Sequence, residues 1–178
     1  MTMLLDVESI RDAHKRIECT EPPAAFEPED AFRIVTPVEL RLELHKNKAK
    51  VRLTGRISTT VEVDCSRCLE GFSVPIVSVF NMEYLPTTAA PATPDVEVGD
   101  QELDTAFYQD GVIDLRQLVR EQILLQLPMK PLCSESCSGL CPMCGTNLNT
   151  GSCDCSQEWE DPRLAPLKAL ARKSDTDA

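Results

Sequence analysis

The sequence predicts an α+β fold: an antiparallel β-sheet packed by one main helix, followed by a cysteine-rich C-terminal module. Three observations carry this prediction. Residues 36–84 alternate apolar and polar side chains with period two, as strands with one buried face do. Residues 114–127 switch to helical spacing. Eight of the nine cysteines fall into close pairs, six of them beyond Pro131.

The elements follow in order. Leu4, Val7, Ile10 and Ile17 predict a helix over 4–17, ended by Pro22, Pro23 and Pro28. From Thr36, the residues Val38, Leu40, Leu42 and Leu44 alternate with Glu39, Arg41, Glu43 and His45, and Lys46-Asn47-Lys48 reads as a turn. A long strand follows, with Val51, Leu53, Ile57, Thr59, Val61 and Val63 on one parity. Gly55 lies in that row and predicts a bulge or bend. The opposite parity carries Lys48, Lys50, Arg52 and Arg56, which predicts a shared solvent face. A third strand over 72–84 aligns Phe72, Val74, Ile76, Phe80 and Met82, and Pro75 places its start at an edge or bulge.

Residues 86–104 hold Pro86, Pro91, Pro94 and an acidic run, which predicts a mobile linker. Asp114 then caps a helix with Leu115, Leu118, Val119, Gln122 and Ile123 on one face. Leu124, Leu125 and Leu127 widen the stripe that is to cover the sheet, and Pro128 and Pro131 stop the helix. A short amphipathic stretch, 162–170, precedes a polar tail. The predicted organisation is an N-terminal segment over 1–34, a sheet-and-helix domain over 35–130, and a cysteine-rich module with a C-terminal helix and tail over 131–178.

The net charge of −11 is uneven: residues 31–90 carry +2, from eight bases and six acids. The whole chain therefore repels phosphate backbones at long range, and the basic row runs against that trend. No apolar run approaches the roughly 20 residues of a membrane helix. Residues 1–17 mix acids and bases, unlike a signal peptide. A cytoplasmic protein without a membrane partner is expected. In a reducing compartment disulfides are rare, which leaves metal as the use of paired cysteines.

The pairs are Cys65-x2-Cys68, Cys133-x3-Cys137, Cys141-x2-Cys144 and Cys153-x-Cys155. Structural zinc takes four thiolates in a closed tetrahedron. In Cys141-Pro-Met-Cys144-Gly145 the glycine permits the positive φ that lets backbone N–H groups approach the sulfurs. Neither Cys-x2-Cys opens the helix of a βαβ unit, as redox chemistry would need. Cys19 has no neighbouring cysteine and reads as a buried inert thiol. Residues 145–152, with Asn147, Asn149 and Gly151, suit a tight hairpin that returns Cys153 and Cys155 to Cys141 and Cys144. Cys65, Cys68, Cys133 and Cys137 would then form a second site, giving two structural zinc ions. The alternative joins Cys133 and Cys137 to the later pairs and leaves Cys65 and Cys68 spare.

No catalytic constellation is present. His14 and His45 lie in unrelated segments and read as solvated side chains. Walker, GxSxG and HExxH motifs are missing, and closed four-cysteine sites offer no position for substrate water. The acids of 95–110 read as a solvated linker. The expectation is a protein that is not an enzyme and has no small-molecule substrate.

Cys65-Ser-Arg-Cys68-Leu69, Asp114-Leu115, Leu127-Pro128 and Cys137-Ser-Gly139-Leu140-Cys141-Pro-Met-Cys144-Gly145-Thr-Asn147-Leu148-Asn149 together resemble the YceD family, the bacterial and plastid large ribosomal RNA subunit accumulation proteins. The resemblance spans roughly residues 35–170. It implies a role in large-subunit ribosome biogenesis, in the accumulation or maturation of 23S rRNA. The implied partner is a large-subunit rRNA precursor or a ribosomal protein. Lys48, Lys50, Arg52 and Arg56 are the candidate RNA contacts, although that face lacks the aromatics that stack on bases. The alternative is an acidic zinc-binding adaptor that holds a basic ribosomal protein without touching RNA.

Overall fold

Strand-forming segments dominate the computed structural model, which describes residues 3–10, 13–89 and 104–155. The strands are β1 (Leu4–Asp6), β2 (His14–Glu21), β3 (Arg33–Ile34), β4 (Val38–Asn47), β5 (Lys50–Asp64), β6 (Gly71–Pro86), β7 (Thr105–Tyr108) and β8 (Val112–Asp114). One α-helix, α1 (Leu115–Gln126), follows β8 directly. A six-stranded sheet runs β2-β4-β5-β6-β7, with β3 also paired to β5, while β1 and β8 form a separate two-stranded ribbon. The pairings are antiparallel except β6–β7, which is parallel, so the sheet is mixed rather than wholly antiparallel.

The period-two pattern places the core. Val38, Leu40, Leu42 and Leu44 of β4 and Val51, Leu53, Ile57 and Val61 of β5 are at most 1 % exposed. Ile76 and Phe80 of β6 join them, and Phe72, Val74 and Met82 pack at the margin. Their alternates face outward, as strand geometry requires. Each fully buried branched side chain contributes roughly 1.5–3 kcal/mol.

Gly55 makes no bulge. The ladder runs through it without interruption, opposite Leu42 on one side and Phe80 on the other. Its hydrogen is needed because a Cβ there would stand 2.4 Å from the carbonyl oxygen of Arg41 and 2.9 Å from the Cα of Leu42. Among the described residues the far side of β6 at Pro75 is an edge, since β7 pairs with Glu83–Pro86. A residue without an N–H is tolerated there.

Helix α1 begins where its cap dictates. Asp114 Oδ1 accepts the backbone N–H groups of Arg116 at 2.8 Å and Gln117 at 3.4 Å. Leu115, Leu118, Val119, Gln122 and Ile123 are buried. Gln122 receives a buried hydrogen bond of 2.9 Å from the Ser78 hydroxyl of β6, which ties the helix to the sheet. Leu124 and Leu125 do not widen the buried stripe: they are 43 % and 74 % exposed.

The N-terminal segment differs from expectation. The described residues of 4–17 form no helix: β1 is followed by a turn at 7–9, and β2 begins at His14. Asp6 Oδ1 accepts the N–H groups of Glu8 and Ser9, an Asx turn that competes with helix formation. Pairing of β1 with β8 and eight rungs between β2 and β4 then override the local spacing. Lys46 belongs to β4 rather than to the turn, and its ammonium donates to the carbonyls of Val7 at 2.6 Å and Ile10 at 3.0 Å. The predicted linker is structured at both ends, by β6 and a short 3-10 turn up to Ala89 and by Asp104, whose carbonyl accepts from Glu83 N–H. Residues 90–103 and the stretch 162–170 lie outside the described residues.

The chain divides into two compact units, residues 1–66 with 70–135, and residues 67–69 with 136–178. The first holds the sheet and α1. The described part of the second is built on turns and one β-bridge, Leu140–Asn147.

Candidate metal centres

Two Cys-x2-Cys knuckles share one backbone plan. In the first, Cys65 N–H donates to the carbonyl of Glu70 at 3.0 Å, closing the β5–β6 hairpin. In the second, Cys141 N–H donates to the carbonyl of Thr146 at 2.8 Å. Each bond spans five residues, and in each the residue after the second cysteine is left-handed: Leu69 at φ 59° and Gly145 at φ 74°. Gly145 N–H also donates to Cys141 at 2.8 Å. The eight residues after Cys144 do not make one hairpin. The hairpin closes around the knuckle itself, at Leu140–Asn147, and Asn147–Gly151 forms a separate turn.

These knuckles seat two groups of four sulfurs: Cys65, Cys68, Cys133 and Cys137, and Cys141, Cys144, Cys153 and Cys155. Within each group the ligand atoms lie within 4.8 Å of one another, and each group could hold a metal ion. A thiolate tetrahedron around zinc, at about 2.3 Å per bond, has sulfur–sulfur edges of about 3.8 Å. The donor sets fit a soft, tetrahedral ion. Cys19 belongs to neither group. It is partly buried on β2, and burial, with the Glu21 charge, raises its thiol pKa.

Residues beyond the sulfurs support the ligands. Asn149 Nδ2 lies 3.3 Å from Cys137 Sγ, while its Oδ1 accepts the Ser138 N–H at 2.7 Å and its Nδ2 reaches Asn147 Oδ1 at 2.9 Å. Arg67, between the cysteines of the first knuckle, donates from Nη1 to the carbonyl of Cys137 at 2.8 Å. Such outer contacts fix sulfur positions and spread thiolate charge. The spacing of the cysteines alone gives no signal for either role.

In the second group the thiols perturb one another. The Thr146 hydroxyl, 3.1 Å from Cys144 Sγ, pulls that thiol down to about 6. Cys155 is pushed up to about 12, chiefly by its hydrogen bond to Cys144. Four adjacent thiols hold one negative charge readily and resist a second, because like charges raise one another's pKa. A divalent ion removes that resistance and lets all four ionise.

The cations of β5 separate into different environments. Lys50 and Arg52 both pair with Glu83 of β6, Arg52 at 3.3 Å. Lys48 sits in the β4–β5 turn at φ 57°. Arg56 stands directly opposite Arg41 of β4, and neither forms an ion pair with a described residue. Arg41 is therefore a basic-face residue that the run along one strand does not reveal.

The family profile described as "Large ribosomal RNA subunit accumulation protein YceD" matches residues 53–171. The chain belongs to the YceD family. The match covers most of β5, all of β6 and α1, and the eight paired cysteines. Among curated relatives, the "Large ribosomal RNA subunit accumulation protein YCED homolog 1, chloroplastic" of Arabidopsis thaliana is 29 % identical over 158 residues, covering 76 % of this chain and 49 % of the relative. YceD of Haemophilus influenzae is 25 % identical over 139 residues, covering 75 % and 78 %. The uncharacterised YlbN of Bacillus subtilis is 28 % identical over 145 residues, covering 81 % and 80 %. The chain spans about half the length of the chloroplast relatives it matches. No solved structure matches it. Among the described residues no helix is long and apolar enough to cross a membrane.

Proposed function

We propose that this YceD-family chain is a non-enzymatic factor that supports the accumulation of large-subunit rRNA, built around two structural zinc ions. The observation that carries the reading is the pairing of a family match over residues 53–171 with two closed four-cysteine groups inside it. The plant and Haemophilus relatives are named as large ribosomal RNA subunit accumulation proteins. Cys65, Cys68, Cys133 and Cys137 hold one ion; Cys141, Cys144, Cys153 and Cys155 hold the other. With four protein ligands each ion is coordinatively closed, so its part is structural and no substrate reaches it.

RNA contact is assigned to the outer face of the sheet, centred on Arg41 and Arg56. Like charges placed directly across a ladder are destabilising, and an anionic partner converts that cost into binding. Lys48 borders the same face; Lys50 and Arg52 contribute less, since Glu83 already neutralises them. The test is affinity purification of the full chain from lysate, with and without ribonuclease. Large-subunit precursors should copurify, and ribonuclease should release them. Precursor-free preparations, or retention of ribosomal proteins after complete RNA digestion, would overturn the RNA reading.

A further inference from the structure

The chain has two histidines, and the fold brings them together. His14 of β2 and His45 of β4 are direct cross-strand partners, with ring centroids 4.4 Å apart. Their rung is a close one. Lys46 N–H donates to the carbonyl of Ala13 at 2.9 Å, which makes 13/46 a hydrogen-bonded rung. The adjacent 14/45 rung is then non-hydrogen-bonded, where Cα atoms stand about 4.5 Å apart and side chains approach most closely. Glu43 lies on the same face two residues earlier on β4. One nitrogen from each histidine and one Glu43 carboxylate oxygen lie within 4.8 Å of one another.

We propose that His14, His45 and Glu43 form a third cation site, for a divalent transition ion of the zinc, nickel or copper class. Two imidazoles and a carboxylate suit these borderline ions and not the hard alkaline-earth cations, which prefer all-oxygen ligands. The site is chemically distinct from the thiolate groups and lies outside the family match, which begins at residue 53.

The surroundings permit it. Arg16 binds Glu43 through Oε1, from both Nε and Nη2. That bond and the Arg16 charge hold the Glu43 carboxyl below its ordinary range, and among the described residues its Oε2 carries no hydrogen bond. The described flanking cations are restrained: Arg16 by Glu43, Arg52 by Glu83, and Lys46 by two backbone carbonyls. The eight-rung β2–β4 ladder fixes the two backbones that carry the imidazoles before any ion arrives, which reduces the entropy cost of binding. Three protein donors leave the coordination sphere incomplete and both histidines are exposed, so the ion exchanges readily. Its structural effect is to clip the edge strand β2 onto β4.

The test uses the full chain with its cysteine groups saturated with zinc. Further Zn²⁺ is titrated while the imidazole resonances are followed by NMR; with two histidines in the chain, both reporters belong to the site. Both should shift together and saturate at one added equivalent. His14→Gln or His45→Gln should weaken binding at least tenfold, and Glu43→Gln several-fold, while amide spectra show the sheet intact. Arg16→Gln should preserve binding, since it frees Oε1. The proposal is overturned if neither imidazole shifts, or if His45 keeps its wild-type midpoint in His14→Gln, which would mark two independent surface imidazoles.

Discussion

Leu69 and Gly145 hold equivalent places in the two knuckles and share a left-handed backbone, at φ 59° and 74°. The conformation costs an L-residue roughly 1–2 kcal/mol, whereas glycine adopts it freely. Leu69 is 66 % exposed, so its side chain offsets little of that cost by packing. Leu69→Gly should be neutral to about 1 kcal/mol stabilising, and Gly145→Ala destabilising by about 1 kcal/mol. Denaturant midpoints of the zinc-loaded protein check both. Equal destabilisation by the two changes would show that the left-handed residue is not what limits the knuckle.

The alternation of Val38 to Leu44 and Val51 to Val63 was legible because one buried face imposes period two on the sequence. Asp114 and α1 were legible because capping is local. What tertiary pairing decides was not. Residues 4–17 have helical spacing, yet β8 and β4 recruit them as strands. The roles of Gly55 and Ser78 depend on what faces them, Arg41 O in one case and Gln122 in the other. The sequence shows Arg56 in a basic row, but only the β4–β5 register reveals Arg41 opposite it. His14 and His45 are 31 positions apart and look unrelated until the same register pairs them.

The Ser78–Gln122 hydrogen bond gives a second prediction. Ser78 is 1 % exposed and Gln122 6 %. Gln122→Leu should cost about 1–3 kcal/mol, because the Ser78 hydroxyl loses its partner away from water. Adding Ser78→Ala should recover much of that loss, since two apolar groups no longer need each other. Urea denaturation of both single variants and the double variant measures the coupling. Additive losses would show that the bond does not join helix to sheet energetically.

Arg41 and Arg56 give a third. Replacing both with Ser should relieve like-charge repulsion, leave the fold intact, and weaken association with ribosomal precursors. Each lost phosphate contact should reduce the slope of log affinity against log salt by roughly 0.7–0.9. Lys50→Ser with Arg52→Ser should do less, because Glu83 already holds those cations. Precursor cosedimentation over a salt series compares the two pairs. A larger effect from the Lys50 and Arg52 pair would move the contact surface towards β6.

The last prediction concerns metal content. Two groups of four cysteines should hold two zinc ions per chain, apart from any ion at the exchangeable histidine site. Chelation against a weak competitor followed by elemental analysis should therefore give a value near two. Binding by structural zinc sites reaches roughly 10–16 kcal/mol in small peptides, as much as or more than the net stability of a typical domain. Among its described residues the second unit has little apolar core, since Cys137 and Cys141 are among the few buried side chains there. Cys153→Ser with Cys155→Ser should reduce the zinc count to one and unfold the second knuckle around Cys141 and Cys144, while the first group keeps its ion. The β2-to-β7 sheet, whose core is the leucines and valines of β4 and β5, should keep its amide protection. Hydrogen exchange resolved along the chain reads both effects at once. A wild-type value near one would instead favour a single cluster drawn from the last six cysteines. A metal-free protein with the same protection pattern under reducing conditions would remove zinc from the account altogether.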